Sequence, residues 1–134
     1  FDELTRNNVD DLLTRQTKSD WPNQFRTSRF VPAVEYINAQ RHRYLLMQKV
    51  NAVVSQFDAI ICPSRGGGNQ SAITNLTGHP VVCVPNGFDS KTKLPTGISF
   101  VGKLYDEGTI LRVAKFYQDL TNYDESHPKQ FLVD

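Results

Sequence analysis

Residues 75–88, reading N-L-T-G-H-P-V-V-C-V-P-N-G-F, constrain the fold more than any other stretch. Val81, Val82, Cys83 and Val84 follow one another with no polar residue between them. An apolar run without alternation describes a strand covered on both faces. Pro80 and Pro85 bracket it, and neither can donate a backbone hydrogen bond, so the ladder is expected to end there. A strand so short and so apolar belongs in the interior of a layered α/β core. The other elements are then the strands and helices that bury it.

Those elements can be read along the chain. Residues 1–30 are charged and polar, with Asn7-Asn8 and Trp21-Pro22 interrupting any helix. They are expected to form a loosely packed lead-in held by Trp21, Phe25 and Phe30. Pro32 suits the first turn of a helix. From there Val34, Ile37, Leu46, Val50, Val53 and Phe57 mark an apolar stripe at largely helical spacing. Roughly 25 residues of helix would be about 37 Å long. Residues 58–63, D-A-I-I-C-P, predict a buried strand stopped by proline, and a glycine-rich loop over 64–71 follows. One or two helical turns are expected over 72–77 and a third strand over 96–102. Asp106 is placed as the N-cap of a last helix whose stripe is Ile110, Val113, Ala114 and Tyr117. The tail is irregular and is expected to dock through Phe131.

A chain of 134 residues has room for one domain. Its mean hydropathy of −0.43 and apolar share of 39% lie on the polar side for a globule. Faces meant for another part of the same protein would explain that, and so would ordinary variation. Fifteen basic and fourteen acidic residues leave a net charge of +1, so no global field draws the chain to nucleic acid or membrane. No apolar segment approaches the ~18 residues of a membrane span, and a cytoplasmic location is expected. The chain opens on Phe1 and its one methionine is Met47, which suggests a piece of a longer or processed polypeptide.

The most suggestive local chemistry is Ser64, Arg65, Gly66, Gly67, Gly68 and Asn69, just after a strand. Three glycines permit close backbone approach, and their N–H groups could form an anion nest. Neither the Walker nor the Rossmann glycine spacing is present. A flexible linker and a loop lining a small-ligand pocket both remain open readings. Cys62 and Cys83 read as buried thiols, with a bridge between neighbouring strands as the alternative. His42, His79 and His127 have no metal-ligand spacing, so no metal and no cofactor are expected. His79 is expected to satisfy a local carbonyl from its turn. Arg26, Arg29, Arg41, Arg43 and Lys49, with Tyr36 and Tyr44 interleaved, form either a solvated helix face or an RNA surface.

Four blocks together resemble the C-terminal third of amidase signature enzymes. They are F-V-P-A-V-E-Y-I at 30–37, F-D-A-I-I-C-P-S at 57–64, the stretch at 75–88, and I-S-F-V-G-K-L-Y-D-E-G-T-I-L at 98–111. Their order matches the family's long helix, strand ending in T/S-P, N-L-x-G-x-P turn, V-P strand and G-x-x-x-D-E segment. The family includes general amidases and the amidase subunit of the glutamyl-tRNA amidotransferase.

The resemblance implies an α/β fold. The chain would be the C-terminal part of the amidase signature fold, a short mixed sheet segment of about three strands. A long helix and a C-terminal helix pack it, with residues 1–30 as lead-in and 31–134 as the family segment. It implies amide C–N hydrolysis by a Ser–cis-Ser–Lys triad, with an acyl-enzyme formed on the first serine. None of those catalytic residues matches a position here, so this chain alone is expected to be inactive. Its partners would be the rest of the parent chain and, in the whole enzyme, a small amide substrate. Ser64 to Asn69 would form a loop beside the substrate pocket. The short segment between Pro63 and Asn75, with His79 and Asn86 in place of the commoner leucine and cysteine, points toward a general amidase. A binding module or homo-oligomer closing an exposed sheet edge, or packing the long helix, is the alternative. Contact with RNA as part of a tRNA-dependent enzyme is a further one.

Overall fold

The computed structural model describes residues 1–64 and 68–127. It divides into two compact units, Phe1–His42 and Arg43–Asp134. The expected docking of Phe131 and the middle of the glycine loop, Arg65, Gly66 and Gly67, lie outside the described residues.

In the first unit, helices α1 (Asp2–Arg6) and α2 (Trp21–Ser28) flank a 3₁₀ turn at Val9–Leu12, and helix α3 (Ala33–Val54) begins. Charge organises this unit more than aromatic packing does. Asp10 is buried with its Oδ2 2.6 Å from Arg26 Nη2, and the same nitrogen donates to Asp11 Oδ1 at 2.8 Å. Arg29 pairs with Asp2 at 3.3 Å. Phe25 stacks on Phe1 and Trp21, at 4.4 and 5.6 Å between ring centroids. Trp21 and Phe30 were expected to hold the segment, but they are 70% and 85% exposed. A buried carboxylate needs its cation, so Asp10–Arg26 holds the segment together with the stack on half-buried Phe25.

The second unit is an α/β arrangement of strands β1 (Ile60–Pro63), β2 (Val81–Phe88) and β3 (Pro95–Val101), in the order β1-β3-β2. Both ladders are antiparallel, so the outer strands run the same way with β3 between them. Helix α4 (Gln70–Thr77) connects β1 to β2, and helix α5 (Glu107–Thr121) lies against β2 and β3. The long helix, α3, brings Val54 into this unit as a buried side chain. Val84, Phe100, Ile110 and Ala114 form the core, with Val82, Ile98, Val113 and Tyr117 packed on it. The stripe expected on α5 is the one it buries.

Several expectations need correction. Strand β2 is not covered on both faces: Val82 and Val84 point to the core, while Val81 and Cys83 on the other face are exposed. It also does not stop at Pro85, but pairs on to Phe88 with an irregularity between the two. As the outer strand of these three, β2 can carry a residue without an N–H in its interior, where a central strand could not. Strand β1 is likewise half-covered, with Ile61 exposed. On α3, Val34, Ile37 and Val53 are exposed, and so is Phe57 just beyond its end, so the expected stripe is not a buried face. Asp106 precedes α5 but makes no capping bond to its backbone; its Oδ1 accepts instead from Thr109 Oγ1 at 2.8 Å.

The loop between β2 and β3 is closed by Asp89. Its Oδ1 accepts from Thr92 N, Thr92 Oγ1 and Lys91 N at 2.7 to 3.0 Å. Those bonds, led by Thr92, favour the ionised form and hold the carboxyl below its usual range.

Candidate functional site

Register decides which side chains share a face of the sheet. Cys62, Ser99 and Cys83 oppose one another on one face, and Ile61, Phe100 and Val82 on the other. The second face carries the hydrocarbon core beneath α5 at Phe100 and Val82, and leaves Ile61 exposed. The first carries sulfur and hydroxyl groups.

Ser64, the first residue of the glycine loop, joins this polar face. Its N–H donates to Gly97 O at 3.1 Å, which extends the β1–β3 ladder by one bond. Its Oγ lies 2.8 Å from both Cys83 Sγ and Ser99 Oγ. Gly97 makes room for the cluster, because a Cβ there would sit 3.0 Å from Ser64 Oγ and 3.2 Å from Cys83 Sγ. Cys62 Sγ donates to Ser99 O at 3.8 Å. Burial, and then the neighbouring Cys83, push the Cys62 thiol up. It is therefore a protonated, weakly nucleophilic thiol at neutral pH.

Of the loop itself, Gly68 takes a left-handed φ of 68°, and Asn69 precedes α4 without a side-chain cap. Both are exposed. Among the described residues the Ser64 hydroxyl hydrogen-bonds to a thiol and a hydroxyl, neither of which is a base able to take its proton. The cluster can offer hydrogen bonds to a small polar group, but it does not activate a nucleophile. Cys83, Ser99 and Gly97 escaped the linear reading; the signal was their shared parity on paired strands, which needs the register.

The two cysteines are free, Cys62 half-buried and Cys83 exposed. A bridge between them is sterically excluded. With β3 between their strands they stand two strand spacings apart, about 9–10 Å, beyond the ~7 Å a disulfide spans. A thiol reagent is expected to label Cys83 well before Cys62, read by peptide mass spectrometry. A Cys62–Cys83 crosslink under mild oxidation would contradict this geometry.

The remaining candidates are dispersed. Arg26 and Arg29 are engaged by Asp10, Asp11 and Asp2, and Arg43 Nε donates to Leu76 O at 2.6 Å. The basic cluster is thus largely spent on its own chain. His79 is buried, and its Nδ1 meets Thr77 Oγ1 at 2.8 Å, a hydroxyl where a carbonyl was expected. Burial pushes its imidazole below the usual value. No grouping of three metal-ligating side chains occurs among the described residues.

No family model matches the chain. Among curated proteins it is similar to a glutamyl-tRNA(Gln) amidotransferase subunit of Halalkalibacterium halodurans. That relative is 33% identical over 69% of this chain and 22% of its own length. Its counterpart in Brevibacillus brevis is 32% identical over 70% of this chain and 23% of its own. The chain therefore spans less than a quarter of the length of these relatives. Among solved structures, an amidase family protein from Bacillus anthracis superposes with a TM-score of 0.66 at 20% identity. The match covers 90% of this chain and 24% of that one. The allophanate hydrolase of Kluyveromyces lactis gives 0.64 at 20% identity, over 92% of this chain and 23% of that one. The fold of these structures is the fold described above.

Proposed function

The chain belongs to the amidase signature family, and on that premise we propose that it is the C-terminal portion of a cytoplasmic hydrolase cleaving amide C–N bonds. The serine, cis-serine and lysine that perform the reaction are assigned to polypeptide outside this chain. This portion completes the sheet and supplies Ser64 to Asn69 as a loop beside the pocket of a small amide substrate. The observation that carries the reading is extent: similarity runs over 69% of this chain but 22% of its relative. The exposed apolar surface supports it. Tyr44, Leu45 and Val53 on α3, and Leu111, Phe116 and Leu120 on α5, are open to solvent. Residues of this kind are commonly covered by further polypeptide.

The purified chain is expected to show no amide turnover, and a protein extended upstream by the missing portion is expected to hydrolyse amides. Hydrolysis by this chain alone that survives repurification would overturn the reading.

A second reading, a part of a tRNA-dependent amidotransferase, is favoured by the names of the curated relatives. The extended protein separates the two. Ammonia release from small amides alone supports the first, and transfer of nitrogen to glutamyl-tRNA the second.

A further inference from the structure

The turn from α4 into β2 carries a buried histidine, His79, to which the proposed function assigns no role. Gly78, with φ of 80°, ends α4 and donates to Thr74 O at 2.8 Å, which turns His79 inward to 4% exposure. The His79 ring meets the hydroxyl of Thr77, itself fully buried. Thr77 Oγ1 also lies 2.9 Å from Ile73 O. A carbonyl cannot donate, so the single hydroxyl proton is committed to Ile73. The hydroxyl can then only accept from the ring. Nδ1 therefore carries the imidazole proton, and Nε2 is left as a bare acceptor. That nitrogen is buried and meets no donor among the described residues.

A second proton would place a positive charge at a buried atom that faces no acceptor among the described residues, a costly arrangement. The charged groups on segments joined to this turn do not relieve it. Arg43, on α3, donates to Leu76 O. Lys103 and Asp106 flank Leu104, whose Cδ2 lies 4.0 Å from a Cβ built on Gly78. Lys103 pairs with Asp58, and Asp106 accepts from Thr109.

From this geometry we propose that His79 is a proton-operated pin. The neutral ring holds the α4–β2 turn closed, and a proton on Nε2 drives the ring out and opens the turn. The sign follows from linkage. Burial lowers the folded value, so as pH falls below 6.5 the unfolded ring takes up a proton first. Stability is full above that value and is lost on the way down to the folded one, by up to about tenfold in the unfolding constant per pH unit.

Two measurements on the whole chain test the pin. Nitrogen-15 NMR of the uniformly labelled chain is expected to show His79 as the Nδ1–H tautomer at neutral pH. It should then show amide protection at residues 81–84 falling as His79 titrates. The Nε2–H tautomer, or a titration that leaves this protection intact, overturns the proposal. His79→Asn keeps a donor toward Thr77 and cannot titrate. It is expected to flatten the stability profile below pH 6.5, and comparison with the parent cancels the other two histidines. An unchanged slope in His79→Asn also overturns the proposal, and the NMR arm decides whether or not that variant folds.

Discussion

Phe100→Ala is expected to cost about 3–5 kcal/mol, the range for removing a fully buried phenyl ring. Phe100 is 1% exposed on the middle strand, paired in register with Ile61 and Val82. Its ring meets Tyr117 edge-on, with centroids 5.8 Å apart and planes at 61°. It is therefore where the sheet and α5 share one side chain. Domains of this size hold about 5–15 kcal/mol in total, so the loss is a large part of it. Urea denaturation should show a much lower midpoint, and Phe116→Ala on the exposed face of α5 should change it by about 0.5 kcal/mol or less. A cost for Phe100→Ala below about 1 kcal/mol would mean that the ring does not join these elements.

Gly102→Ala has the second largest expected effect, and it acts by excess. Gly102 is buried where β3 turns toward α5, with its N–H donating to Pro80 O at 3.0 Å. A Cβ at this position would stand 2.5 Å from Ile110 Cγ2, closer than such atoms approach. Ile110 is a core residue and cannot swing into solvent. The strand end or the helix must then shift, at about 1–3 kcal/mol. The clash is with the methyl branch at Cβ, which leucine lacks. Ile110→Leu alone should cost less than about 1.5 kcal/mol. The pair together should be more stable than the sum of the single changes, a coupling that a double-mutant cycle reads directly. Strict additivity would show that the contact with Ile110 is not what keeps residue 102 small.

Much of this arrangement is legible in the residues. The order of elements, the long helix after Pro32, and the stripe Ile110, Val113, Ala114 and Tyr117 can be read from spacing and punctuation. Burial is less legible. An apolar run at 81–84 looks the same whether the second face is covered by this chain or by other polypeptide, so Val81 and Cys83 could not be told from Val82 and Val84. The exposed residues of α3 raise the same difficulty. Proline misled for a different reason: its effect on a ladder depends on whether a neighbouring strand needs the missing N–H, and strand order is not a local property. The glycine loop announced itself by composition. The hydroxyl of Ser99 and the thiols on either side did not, because their proximity exists only once three distant segments are aligned.

That alignment has one more consequence. Ser99 and Phe100 are neighbours on the middle strand, one facing the hydroxyl and thiol groups, the other the hydrocarbon. Sliding β3 by a single position would exchange them, pressing a phenyl ring against Ser64 and leaving an alcohol stranded beneath α5. Both sides of the sheet thus veto the same misalignment, and two adjacent letters act as a key that fits its lock in one setting.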